Sequence, residues 1–271
     1  MAKWDYKKDI NYNAIDVEKI RENYFLLHLL TIASFIEITS ETYAKNLSEY
    51  YKDNTEAIQW LNDSWQKEEV QHGKALKTYI EHVWPQFPWQ KTYKKFLELY
   101  KPLCNINEFQ PTKALEMLAR MIVETGTSTM YRTLEGYAKS LDEPILEHLS
   151  HNIYKDEVNH YSYFDHYFKY YNQSEKLGRT EILKVIIRRL KKINSEDIKI
   201  GYQSLHEAKY NDTFKLISYE LFQNELHIQT KKYYPYSMGI KMTMKPLNLN
   251  KTFEMAIIPI IRSAIKVLEF R

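Results

Sequence analysis

A chain of 271 residues with a net charge of +3 and a single cysteine is long enough to bury a large core. It is too weakly basic for a charge-driven nucleic-acid partner, and one Cys excludes an internal disulfide framework and suits a reducing cytoplasm. Six Gly and eight Pro leave long uninterrupted segments, which favours helices over a many-stranded sheet.

In chain order, residues 1 to about 14 read as a polar arm without the apolar core of a signal peptide. Asp16 is placed to cap a helix running through Leu26, Leu29, Leu30, Ala33 and Ile36 towards Tyr51. Lys52-Asp53-Asn54-Thr55 is a turn with a cap at Asn54 or Thr55, and a second long helix follows from about 55 to 83, ended by Pro85 and Pro88. A shorter helix near 89–100 leads to a third long helix that starts at Pro111 and runs to about Lys139. Asp142-Glu143-Pro144 opens a fourth, reaching Tyr171. After a break at 173–178 come a basic amphipathic helix at 179–193, helices near 195–209 and 212–230, an irregular stretch at 231–250, and a last helix at about 252–269. No apolar run approaches a membrane span, and no linker divides the chain. The expectation is one all-α domain over 1–271, with a bundle core at about 16–172 and a C-terminal helical addition at about 179–271.

Two stretches echo one another. Glu68-Glu69-Val70-Gln71-His72 and Asp156-Glu157-Val158-Asn159-His160 each carry Glu-x-x-His at the end of an acidic pair. On a helix, residues i and i+3 share a face, so Glu69 with His72 and Glu157 with His160 can each grip one ion. One copy alone is a weak signal, because a solvated helix face produces it by chance. The spacing strengthens it: Glu37 lies 32 residues before Glu69, and Glu124 lies 33 before Glu157. One Glu from each of two helices, with Glu-x-x-His from each of two others, is the ligand set of carboxylate-bridged di-iron bundles. Four carboxylates offset the charge of two divalent ions, which suits a buried centre, and oxygen with imidazole suits iron. Glu41, one turn from Glu37, is an alternative first-helix ligand; Glu37 is preferred for its matching spacing.

In these residues the chain resembles the soluble acyl-carrier-protein desaturases of the ferritin-like di-iron carboxylate superfamily. That family's second-helix pattern is met by Trp65, Glu69, His72 and Gly73, its fourth-helix Asp-Glu-x-x-His by Asp156, Glu157 and His160, and its third-helix Glu and Thr by Glu124 and Thr127. The likeness covers roughly residues 25–172. It implies a ferritin-like four-helix bundle with further C-terminal helices, and an O2-dependent oxidoreductase holding two iron ions, or a manganese–iron mixture. Glu69, His72, Glu124, Glu157 and His160 would be ligands, Trp65 and Asp156 partners behind the histidines, and Thr127 a catalytic hydroxyl near bound O2. An organic substrate such as an acyl chain on a carrier protein, an external donor such as ferredoxin, and a homodimer are further implications; no nucleic acid or membrane partner is expected. The chain departs from the family at Gln71 and Asn159, where Arg is usual.

Other features have blander readings. Glu68 follows no ligand geometry and is expected to be exposed; His82, His148, His151 and His166 are expected at the surface or packed. The stripe Phe25, Leu29, Ile32, Phe35 and Ile36 is expected in the core. Arg188, Arg189, Lys191 and Lys192 are expected to form a solvated face, with docking of an acidic carrier as the second reading. The ligand set does not choose between desaturation and hydroxylation or N-oxygenation of a small molecule. A ferritin-type ferroxidase is a further alternative, disfavoured by the roughly 100 residues after the fourth helix. So is a radical-generating subunit, disfavoured by Leu76 where a Tyr would be needed. A metal-free interaction bundle completes the set.

Overall fold

The computed structural model describes residues 4–106, 109–193, 196–208 and 216–269, with the backbone alone at 192–193, 253–254, 257 and 264–269. It is all-α, and no strand occurs among the described residues. The helices are Val17–Ile20 (α1), Tyr24–Tyr50 (α2), Thr55–Trp60 (α3), Gln66–Val83 (α4), Trp89–Tyr100 (α5), Lys113–Ser140 (α6), Pro144–Glu175 (α7), Arg179–Ile193 (α8), Glu196–Glu207 (α9), Tyr219–Tyr233 (α10), Tyr236–Met244 (α11) and Lys251–Glu269 (α12). A π turn at Leu61–Trp65 joins α3 to α4 as one rod. α2 packs along this rod and α6 packs along α7, so the bundle is two helix pairs set against each other. α8, α10 and α11 lie on α6, and α9 covers α5 and α2.

Caps set the boundaries, and several differ from expectation. Asp16 caps only the single turn α1, whereas Asn23 accepts the Leu26 N–H at 3.0 Å and starts α2 separately. Asn54 caps α3 through the Ala57 N–H. α6 begins at Lys113 with Thr112 as its cap, not at Pro111. α7 opens as expected, with Glu143 capping and Pro144 in the first turn, but it runs on to Glu175, where Lys176 turns into the left-handed region at φ 51°. The expected helix near 212–230 is α10; residues 212–215 lie outside the described ones. Within 231–250 the irregular reading fails. Pro235 sits at the N-cap of α11, and Gly239 lets the helix approach Tyr234, whose hydroxyl lies 2.6 Å from where a Cβ would stand.

The arm is also more than polar: Trp4, Ile10, Tyr12 and Ile15 are buried on the bundle. The basic face of α8 is only partly solvated. Arg188 is exposed and donates to Gln110, while Arg189 tucks in beside Arg120; burial and that neighbouring charge push its guanidinium down to about 10. The side chain of Lys192 lies outside the described residues. α2 is the one described helix long and apolar enough by composition to cross a membrane, yet 72% of that window is buried inside the bundle.

The core is split into two apolar halves. Along α2 one half ends at Phe35 and the other begins at Ala44. The same change falls between Trp65 and Ala75, between Ile122 and Tyr131, and between Ile153 and Tyr161. All four rods therefore interrupt their apolar faces at one level. Each interruption holds an acidic or histidine side chain that is buried: Glu37, Glu69 and His72, Glu124, Glu157 and His160. Burying such groups without compensation is costly, so the polar layer is not there for packing.

Candidate metal centre

The six side chains singled out by spacing converge at that level. Glu37, Glu69, His72 and Glu157 offer ligand atoms all within 4.8 Å of one another, as do Glu69, Glu124, Glu157 and His160. Each group could hold a metal ion, and Glu69 and Glu157 belong to both. His72 Nδ1 lies 3.0 Å from Glu157 Oε1 and 3.8 Å from Glu37 Oε2. His160 Nδ1 lies 3.0 Å from Glu69 Oε1, 3.7 Å from Glu124 Oε2 and 3.8 Å from Glu157 Oε2. Glu41, the alternative on α2, is exposed and outside the cluster.

The other ring nitrogens are held from behind, crosswise. His72 on α4 faces Asp156 on α7, with Nε2 to Oδ2 at 3.1 Å. His160 on α7 faces Glu68 on α4, with Nε2 to Oε2 at 2.8 Å. Such partners fix which nitrogen points inward. Asp156 thus sits where expected, but the exposed reading of Glu68 is corrected: its side chain is only 12% exposed. Its position was legible, since Glu68 stands in its motif where Asp156 stands in the other.

Trp65 is also corrected. Its indole N–H is buried without a hydrogen-bond partner, and its ring packs on Phe164. The indole that serves the histidine is Trp4, which donates to Asp156 Oδ2 at 2.7 Å and stacks over His72. Gln71, at one of the positions departing from the family pattern, donates to the Trp4 carbonyl at 3.1 Å and ties the arm down. No sequence signal marked Trp4, because its contact spans 152 residues. Tyr131 was missed as well: its hydroxyl donates to Glu37 Oε1 at 2.5 Å from two turns beyond Glu124. Thr127 donates to Glu157 Oε2 at 2.7 Å, closer than the carbonyls of its own helix.

Charge and burial act together here. Burial, with the neighbouring charges of Glu157 and Glu37, holds the Glu69 carboxyl well above the usual range. Burial raises Glu124 to about 8 despite its contact with His160. Burial opposes charge on the two imidazoles, but the carboxylates around them prevail and hold both well above the ordinary histidine range. Burial also opposes the charge of Glu157, and the two imidazoles outweigh it and draw this carboxyl well below. Protons thus balance part of the charge of the cluster, and a metal ion entering it would have to displace them.

The donor set fits a cation by a further criterion. His72 Nδ1, His160 Nδ1, Glu124 Oε2 and Glu157 Oε1 are buried, and none has a hydrogen-bond partner. Native interiors seldom leave polar atoms so. His72 Nδ1 faces Glu157 Oε1 and His160 Nδ1 faces Glu124 Oε2, and neither pair forms a hydrogen bond, an arrangement compatible with donors to a shared ion.

No protein-family model matches this sequence, and no curated protein matches it significantly.

Proposed function

We propose that the chain is an O2-dependent di-iron oxidoreductase of desaturase-like architecture, acting on an organic substrate. The observation that carries this is the pair of buried donor groups sharing Glu69 and Glu157, each completed by one further Glu and one His. Four carboxylates and two imidazoles balance two divalent ions in a dry layer, and the donor chemistry suits iron. When bound, two reduced irons supply two electrons to dioxygen. The protein's part is to hold and orient. Glu37 and His72 would serve one ion, Glu124 and His160 the other, with Glu69 and Glu157 between them. Asp156 and Glu68 fix the two imidazoles, Trp4 fixes Asp156, and Thr127 holds one oxygen of Glu157. The apolar layers above and below exclude water.

An acyl chain on a carrier protein is the first substrate class, as the resemblance to the acyl-carrier-protein desaturases implies. Hydroxylation or N-oxygenation of a small molecule comes second. A hollow of about 380 Å³ beside Glu56, Tyr163 and His166 and one of about 330 Å³ beside Ser237, Pro259 and Arg262 are lined by no residue of the cluster.

The test is anaerobic titration with Fe(II) followed by admission of O2. The expected result is two irons per chain and O2 uptake, with one iron and all uptake lost in His72→Ala or His160→Ala. Fewer than two irons in the wild type, or full uptake in either variant, refutes the reading. Assembly into a large shell by light scattering would favour iron storage instead.

A further inference from the structure

The two helix pairs carry the same pattern of acids and histidines, with Glu124 on α6 following Glu37 on α2 by 87 residues. Matched by that offset, the two halves of the centre are not alike. Tyr131 on α6 corresponds to Ala44 on α2, and both are fully buried. The Tyr131 hydroxyl donates to Glu37 Oε1 at 2.5 Å. Ala44 has no donor to give, and Oε2 of Glu124 is buried without a hydrogen-bond partner. The hydroxyls near Glu124 go elsewhere: Thr127 to Glu157 Oε2 and Ser128 to the main-chain carbonyl of Glu124. Glu37 thus has one oxygen tied to a phenol and the other directed at His72 Nδ1, 3.8 Å away.

A carboxylate oxygen that accepts a hydrogen bond has its negative charge partly satisfied and is a poorer donor to a cation. We infer that Tyr131 makes the two ion positions unequal. Glu37 would offer its ion one fully charged oxygen, Oε2, so a cation beside His72 would be held more weakly. Glu124 Oε2, without a phenol, would keep its full charge for the other ion. Tyr131 is in this sense a positioning residue, acting through Glu37. The inference rests on reading the cluster as a two-cation centre and adds which position fills first.

The test uses the full chain with Co(II) alone, followed by calorimetry and by visible absorption of the bound ion. His72→Ala leaves the Glu124 position and His160→Ala leaves the Glu37 position. The expected result is that H72A holds its ion about threefold more tightly than H160A, the worth of the one hydrogen bond that distinguishes the two positions. Adding Tyr131→Phe to H160A should tighten that ion about threefold and leave H72A unchanged. Because either histidine variant could fail to fold, the intact site gives a second readout. In wild type the two Co(II) ions should bind in separate steps, and Y131F alone should bring the steps together by about threefold. Equal affinities in H72A and H160A, or no effect of Y131F in either comparison, overturn the inference while the centre stands. Fewer than two Co(II) per wild-type chain overturns the two-cation reading itself.

Discussion

Replacing Gly73 with Ala tests the packing that brings Glu37 on α2 close to His72 on α4. A Cβ at Gly73 would stand 2.5 Å from Ile38 Cγ1, 2.8 Å from the Ser34 carbonyl oxygen and 2.9 Å from the Ile38 nitrogen. The first neighbour is a side chain that can turn aside; the other two are backbone of α2. Relief to ordinary contact at 3.4 Å requires the helices to part by about 0.6 Å. Overpacking of this kind costs about 1–3 kcal/mol, and for a chain of this size each kcal/mol lowers the melting temperature by about 2–4 °C. The expected loss is therefore about 2–12 °C by calorimetry. Gly73 follows His72 and Ile38 follows Glu37, so the same displacement widens the 3.8 Å gap between Glu37 and His72. Metal titration should show the weaker ion loosened more than the stronger. Melting within about 1 °C of wild type, with unchanged titration, would refute the claim that backbone contact at Gly73 sets the helix spacing.

Asp156→Ala and Glu68→Ala each remove the partner behind one imidazole, and each should weaken metal binding about 10–100-fold. The loss should fall on the His72 position for Asp156 and on the His160 position for Glu68, read by cobalt titration; loss at the opposite positions refutes the crossed pairing. Glu116→Ala leaves Arg120 buried without its 2.8 Å partner and should cost about 3–5 kcal/mol in urea denaturation; a cost below about 1 kcal/mol means the pair is not held out of water. Burial pushes the His28 imidazole down to about 4 from 6.5, so the unfolded chain binds the extra proton between those values. The stability from neutral His28 is complete above pH 6.5 and should fall by up to about 3 kcal/mol as pH drops towards 4. His28→Gln should remove that part of the pH dependence; denaturation curves with the same slope against pH in both proteins refute it.

The buried acid–histidine cluster was legible because its residues repeat at matched intervals along helices, and a helix converts interval into face. Glu37 was separable from Glu41 for the same reason, and burial now agrees with the choice. What escaped was whatever depends on a distant segment. Trp4 reaches Asp156 from the chain's beginning, and no periodicity marks an indole that arrives from outside the bundle. Glu68 escaped although its equivalence to Asp156 was available, because a residue next to a ligand on a helix points about 100° away. It meets His160 only once α7 lies beside α4. The break between α1 and α2 was hidden by an apolar pattern that continues across Asn23, and α11 by a Pro and a Gly that serve as a cap and a close contact.

The sharing of Glu69 and Glu157, together with the crossed support of the histidines, has a consequence for how such a site can be made. Neither hairpin alone contains either complete donor group. The first supplies Glu37, Glu69 and His72 but borrows Glu157 and Asp156; the second supplies Glu124, Glu157 and His160 but borrows Glu69 and Glu68. A chain severed between α5 and α6 should thus give two fragments that are inert to metal separately and competent only as a reunited pair.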